Sequence, residues 1–370
     1  MNTQSSSPLF APTRVGAVDL GHRVVMAPLT RMRAGSGDVP GALMAEYYRQ
    51  RASRGGLIIA EATNITGSNR GYLHAPGIYD DGQVAGWRRV TDAVHAKGGR
   101  IVLQLWHVGR TSHVDLNGGL APVAPSAIAY DGLANTENGW VPVSPPRALE
   151  TEEIPGIVDL YRAATQRALA AGFDGVEIHA ANGYLIDQFL QDGTNKRTDR
   201  YGGSIENRAR LLLEVVGTVT AIAGGNRVGV RLSPSGTFNG MGDSDPEALF
   251  DHVATRLDAF GLAYLHIVEP RIAGSDLVDG RSHEPVASRR LRRLFHGAII
   301  AAGGFEPETA AAILRDGDAD LVAFGRHFIA NPDLPARIRG GLALNAYDRT
   351  TFYGGDARGY VDYPMLEAAA

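Results

Sequence analysis

Cysteine is absent from the 370 residues, so disulfides, iron–sulfur clusters and thiolate zinc sites are excluded at the outset. Any redox chemistry has to sit on a bound cofactor. Lysine is almost absent too: Lys97 falls at the end of a helical segment and Lys196 in a loop. Neither is on a strand, where a Schiff-base aldolase barrel would need one. The net charge of −4 is small for this length, and no run of like charges marks a nucleic-acid or membrane surface. Met1 to Ser7 lacks the basic start and apolar stretch of a secretion signal. No segment offers about 18 uninterrupted apolar residues. The expectation is a cytoplasmic protein without nucleic-acid or membrane partners, frayed over residues 1–8; whether it is a monomer or a dimer stays open.

With 44% hydrophobic residues, the chain can bury one large core, and parallel β/α barrels reach this length as one domain. Short apolar runs alternate with longer segments of helical period. The runs are Val24–Ala27, Leu57–Ala60, Ile101–Leu105, Gly175–His179, Val228–Leu232, Tyr264–Val268, Ala298–Ala301 and Leu321–Phe324. Eight parallel strands close a barrel, so the fold expected is a single (β/α)8 (TIM) barrel domain spanning 1–370.

Gly55, Gly98, Gly172, Gly224, Gly261, Gly297 and Gly317 each follow a helical segment, as left-handed helix ends require. Asp245, Pro246 and Glu247 predict a helix start and a helix from Pro246 to Phe260. Residues 111–150, rich in proline and glycine, break the repeat after the third strand. They read as an excursion that partly covers the active-site face. Tyr347, Phe352, Tyr353, Tyr360 and Tyr363 follow the last strand and are expected to pack back over the same face.

Polar residues inside barrel strands cost energy unless something meets them. Gln104, Glu177, His179, Arg231 and His266 are such exceptions, and the two-residue period puts Glu177 and His179 on one face. The bland reading makes Glu177 and Arg231 a buried ion pair and His266 a satisfied core histidine. Arg231, near a strand's carboxyl end, is the better functional candidate. Ala302-Gly303-Gly304 and Phe324-Gly325-Arg326 follow the seventh and eighth strands, where β/α barrels commonly bind phosphate.

These stretches and others resemble the old yellow enzyme family, in the branch of bacterial ene-reductases that includes the N-ethylmaleimide, pentaerythritol tetranitrate and morphinone reductases. The matching segments are Met26-Ala-Pro-Leu-Thr-Arg31, Glu61-Ala-Thr63, Leu103-Gln-Leu-Trp-His107 and Gly175-Val-Glu-Ile-His-Ala-Ala-Asn-Gly-Tyr184. They continue through Asp192–Gly203, Val230–Ser233, Tyr264–His266, Ala301–Gly304, Phe324–Arg326 and Thr351–Gly355. Together they cover nearly the whole chain.

The resemblance implies FMN, bound non-covalently, with NADPH or NADH as hydride donor and activated alkenes as substrates. It puts the phosphate on Gly303, Gly304, Gly325 and Arg326, beside Phe324. The flavin ring would be edged by Pro28, Leu29, Thr30, Ala62, Gln104 and Arg231. Thr rather than Cys at position 30 is similar to the same branch. A buried guanidinium at Arg231 suits the negative charge of reduced flavin.

By the same resemblance, His179 and Asn182 hold the substrate's carbonyl or nitro oxygen, and Tyr184 gives the proton. Many relatives carry a second histidine at position 182. Thr30, Tyr72, Trp106 and Tyr353 are similar to pocket-lining residues. The competing readings are a nitrate ester or nitroaromatic reductase on the same site, and a non-catalytic flavin- or ligand-binding protein. A metal-dependent hydrolase barrel is disfavoured, because strand 1 ends in Ala27-Pro28-Leu29-Thr30 rather than metal ligands.

Overall fold

The computed structural model describes residues 7–270, 272–273, 276–277 and 286–366. Eight parallel strands form a closed barrel. They are β1 (Val24–Met26), β2 (Leu57–Ile59), β3 (Arg100–Trp106), β4 (Gly175–Ala180), β5 (Val228–Leu232), β6 (Tyr264–Val268), β7 (Ala298–Ala302) and β8 (Leu321–Phe324). Each pairs with its sequence neighbour, and β8 returns to β1 through Val322↔Val24 and Phe324↔Met26. All eight apolar runs are therefore strands, within one or two residues of the expected limits.

Helices pack outside the strands: α1 (Ala42–Arg51), α2 (Asp81–His95), α3 (Ile154–Ala170), α4 (Arg210–Ala223), α5 (Pro246–Asp258), α6 (Val286–Leu291), α7 (Pro307–Asp316) and α8 (Leu334–Gly340). On α3 the buried residues Ile157, Tyr161, Ala164 and Ala168 follow the helical period and face the sheet. The start of α5 is as expected, with the Asp245 side chain accepting from the Ala248 N–H. It ends at Asp258, so Phe260 lies beyond it. Gly317 closes α7 in the left-handed conformation. Gly297 departs from expectation: its φ is not positive, and a Cβ there would meet the Phe295 ring at 2.7 Å, so close packing excludes a side chain.

Two apolar layers result. One lies between strands and helices. The other fills the barrel with Val25, Leu57, Ile59, Val102, Tyr264, Ile300 and Leu321. Val15 and Leu20, from the hairpin Thr13–Val15/Val18–Leu20, close this inner layer from the amino-terminal end. Residues 1–6 of the expected frayed start lie outside the described residues, whereas Pro8 opens a 3-10 turn over Pro8–Phe10. Among the described residues no helix is long and apolar enough to cross a membrane.

The 111–150 excursion is more ordered than its composition suggests. It contains the antiparallel hairpin Leu133–Thr136/Gly139–Pro142, tied down where the Leu73 N–H donates to the Asn135 carbonyl at 2.9 Å. The carboxyl-terminal segment is pinned by buried arginines. Arg31 donates to the carbonyls of Phe352 (2.8 Å) and Gly359 (2.8 Å), and Arg51 to that of Tyr360 (3.1 Å). Tyr360 stacks on Tyr47 with centroids 4.0 Å apart.

Candidate active site

A cavity of about 1030 Å³ opens at the carboxyl ends of the strands, the face on which β/α barrels carry their sites. Its wall takes Pro28, Leu29 and Thr30 from the end of β1, Ala62 from beyond β2, Gln104 from β3 and Arg231 from β5. His179, Asn182 and Tyr184 come from β4 and the turn after it. Gly303, Gly304, Phe324, Gly325 and Arg326 line the far end, and Tyr72 and Tyr353 the mouth.

Trp106 is the exception among the expected site residues. It is not part of the cavity wall but packs behind it, with its ring 5.6 Å from Tyr72 and 5.0 Å from Tyr184. The chain places it at the last position of β3, where the ring fills the gap between those two tyrosines. The excursion adds Tyr130, Leu133 and Trp140, and the tail adds Tyr347 and Phe352. Tyr130, Leu133 and Trp140 gave no signal in the sequence, because aromatics and apolar residues in a proline-rich stretch have no period to place them.

The floor holds a buried polar cluster. Gln104 Nε2 donates to Glu177 Oε1 at 2.7 Å, and His266 Nδ1 lies 2.9 Å from Glu177 Oε2. The expected Glu177–Arg231 ion pair is not the arrangement found: both carboxylate oxygens are taken by Gln104 and His266. Arg231 acts on Glu177 through its charge alone, and its Nε has no partner. Glu177 lies level with Gln104 and Gly229, whereas Arg231 and His266 both stand two positions further along; it is the His266 ring that reaches back to the carboxylate, while Arg231 lines the cavity.

Burial pushes the Glu177 carboxyl upward, but His266, Arg231 and Gln104 outweigh it and hold it below the usual carboxylate range. Burial lowers His266 and the Glu177 charge opposes that shift; facing a carboxylate that can only accept, the ring donates from Nδ1. Its Nε2 is left without a partner, and the ring is therefore only half satisfied.

The turn after β4 is held by side chains around its backbone. Asn182 adopts φ +58°, a conformation non-glycine residues rarely take. Its N–H donates to Ser233 Oγ at 2.8 Å, and its carbonyl accepts from Asn239 Nδ2 at 2.9 Å. The N–H of Gly183 donates to Asp187 Oδ2 at 2.8 Å. Gly183 has φ +75°, and a Cβ there would meet the Phe238 carbonyl oxygen at 2.8 Å, so only glycine fits.

These bonds bring Tyr184 beside His179, with ring centroids 4.9 Å apart and edge to face. Burial, and then the Arg231 charge, hold His179 well below its ordinary value, and its Nδ1 has no partner. Burial, reinforced by Tyr72, raises Tyr184 well above the ordinary phenol range.

At the other end, Gly303 has φ +117°, and a Cβ would sit 3.3 Å from the Glu269 nitrogen. A Cβ on Gly325 would sit 3.2 Å from Leu29 Cδ2. These bare turns leave room for a phosphate next to the Arg326 guanidinium, which lies 5.8 Å from the Tyr347 ring centre. The unpartnered Arg231 Nε, the Gln104 amide and the narrow wall of Pro28 to Thr30 suit a flat polar ring at the opposite end. The residues thus fit FMN along the length of one cavity.

A β/α barrel with a phosphate cradle after β7 and β8 and a buried arginine under a ring site defines an FMN-binding oxidoreductase. The chain matches the family described as "NADH:flavin oxidoreductase / NADH oxidase" over residues 8–345, and it belongs to that family, the old yellow enzymes. It is 48% identical over 363 residues to 12-oxophytodienoate reductase 1 of Oryza sativa subsp. japonica, across 97% of this chain and 93% of the relative. It is also similar to a structure of morphinone reductase in complex with tetrahydroNAD, with TM-score 0.90 and 53% identity over 97% and 98% of the two chains. The old yellow enzyme homologue from Zymomonas mobilis has TM-score 0.92 and 46% identity over 97% and 99%. The protein is accordingly an NAD(P)H-dependent flavin oxidoreductase whose cofactor is FMN.

Proposed function

We propose that the protein is an ene-reductase, reducing the C=C bond of α,β-unsaturated carbonyl or nitro compounds. The observation that carries this is the grouping of His179 at the end of β4 with Asn182 and Tyr184 of the following turn on the cavity wall. FMN, when bound, stores the hydride taken from the nicotinamide and delivers it to the alkene.

The residues of the chain supply the rest. His179, kept neutral by burial, and Asn182 donate hydrogen bonds to the substrate's oxygen and draw electron density from the β-carbon. Tyr184 holds a proton on its phenol oxygen for the α-carbon, so that hydride and proton together saturate the bond. Arg231 stabilises negative charge on the ring side. Tyr72, Trp140 and Tyr353 line the apolar mouth and exclude water from the reacting carbons. Trp106 keeps the Tyr184 ring upright from behind.

The visible spectrum of the purified protein tests the reading. The flavin band is expected to bleach under anaerobic NADPH or NADH and to return on adding 2-cyclohexenone. Bleaching without recovery would remove alkene reduction. Recovery with a nitrate ester and release of nitrite, but none with the enone, would favour the nitro-compound reading of the same oxygen site.

A further inference from the structure

Gln104, Glu177 and His266 come from three different strands, and all three are buried. An apolar trio would fill the same space without the cost of desolvating a charge, so the polarity of this cluster asks for a use. The geometry supplies one. An ionised carboxylate accepts hydrogen bonds and cannot donate them. Glu177 Oε1 lies 2.7 Å from the Gln104 amide, which must therefore turn its nitrogen toward Glu177. The reverse orientation would press two oxygens together with no hydrogen between them, in a site closed to water. The amide oxygen of Gln104 is then the end left for the cavity that Gln104 lines.

We propose that Glu177 is a positioning residue: by engaging the Gln104 amide nitrogen, it fixes that side chain as an acceptor toward the cavity and so selects a flavin edge that carries N–H. In the oxidised flavin ring the only N–H lies between the two carbonyls of the pyrimidine portion. His266 holds the second carboxylate oxygen at 2.9 Å, which prevents Glu177 from swinging away. This proposal depends on FMN binding and not on which substrate is reduced.

The test uses the full-length apoprotein titrated with FMN and with 3-methyl-FMN, which replaces that N–H with N–CH3 and so removes the donor, followed by quenching of flavin fluorescence. The wild type is expected to prefer FMN by about 10²-fold, the scale of a buried acceptor left unmet. In Glu177→Gln the amide at 104 is free to turn over, and the preference should fall below about 10-fold. Gln104→Ala should abolish the preference while Glu177 keeps its bond to His266.

A Glu177 that serves stability alone would weaken both flavins equally and leave the ratio unchanged. That result, or a wild-type ratio near one, overturns the proposal. Should Glu177→Gln fail to fold, the exchange variant Glu177→Gln with Gln104→Glu keeps an N–H to carboxylate contact. It also leaves a carboxylate oxygen toward the cavity, so it should retain the preference for FMN; loss of the preference there would equally overturn the proposal.

Discussion

The phenolic oxygens of Tyr72 and Tyr184 lie 3.3 Å apart, and the Tyr184 ring is held edge to face by both Trp106 and His179. The proposed proton donor thus has a ring held on two sides and a hydroxyl contact with Tyr72. Since burial and Tyr72 raise its pKa, it stays protonated throughout the neutral range. Tyr184→Phe should leave flavin reduction by NAD(P)H intact and slow alkene reduction by about 10²-fold, as expected when a general acid is lost. Tyr72→Phe removes only a hydrogen bond and should cost about 10-fold or less. Stopped-flow measurement of the two half-reactions separates these effects, and equal slowing of both in Tyr184→Phe would remove it from the proton step.

The oxygen site is tested by phenol-type ligands that give a charge-transfer band with the flavin. Replacing both His179 and Asn182 with Ala should weaken such ligands by about 10²-fold, from two lost hydrogen bonds. Because His179 stays neutral far below its ordinary range, its titration should add no pH dependence to wild-type binding between pH 6 and 8, apart from that of the phenol itself. Undiminished affinity in the double variant would mean that the oxygen binds elsewhere.

Gly229 faces the barrel interior beside Tyr264, and a Cβ there would fall 2.2 Å from the ring carbons Cε2 and Cζ. The ring is wedged in the filled inner layer and has little room to move. Gly229→Ala should destabilise the fold by about 1–3 kcal/mol, the usual cost of overpacking. Urea denaturation measures it. Combining the change with Tyr264→Leu should recover part of the loss, whereas strict additivity would show that the two positions do not collide.

Glu61 is fully buried beyond β2, accepting from the Arg31 N–H at 3.1 Å and the Tyr48 hydroxyl at 3.1 Å. Burial raises its carboxyl from 4.5 to about 7 despite these donors. A carboxyl raised in the folded state binds its proton more tightly there than in the unfolded chain, so it contributes stability below pH 4.5 that is lost as pH rises through 7. Glu61→Gln has no proton to lose. Its melting temperature relative to wild type should therefore improve between pH 5 and pH 8, whatever its starting deficit. A difference that stays constant across this range would show that Glu61 does not titrate there.

The strands were legible because a parallel barrel buries both faces of each one, which leaves short continuous apolar runs that no exposed helix would carry. The candidate residues were partly legible for a related reason: polar groups such as Gln104, His179 and Arg231 interrupt those runs, and the glycine turns after β7 and β8 mark a phosphate site, whereas the flavin-edge and oxygen-site roles came from the family resemblance. The two-residue period also placed Glu177 and His179 on one face from sequence alone.

What the sequence left open was lateral. Period says which face a side chain takes but not who stands beside it, and only side-chain packing inside the closed barrel gave Glu177 to Gln104 and His266 instead of Arg231. Trp106 resembles a pocket-lining residue of the family, yet it packs against the Tyr72 and Tyr184 rings outside the cavity wall. Trp140 reaches the cavity on a hairpin bridged to residues 72 and 73, and Tyr130 through hydroxyl bonds to Thr111 and Asn239. Arg31 holds Phe352 at the site, and Arg51 anchors Tyr360 behind it, by bonding carbonyls some 300 residues away in the chain. Such contacts join parts of the chain with no local pattern in common, so local sequence fixes the elements while tertiary packing decides which of their side chains meet.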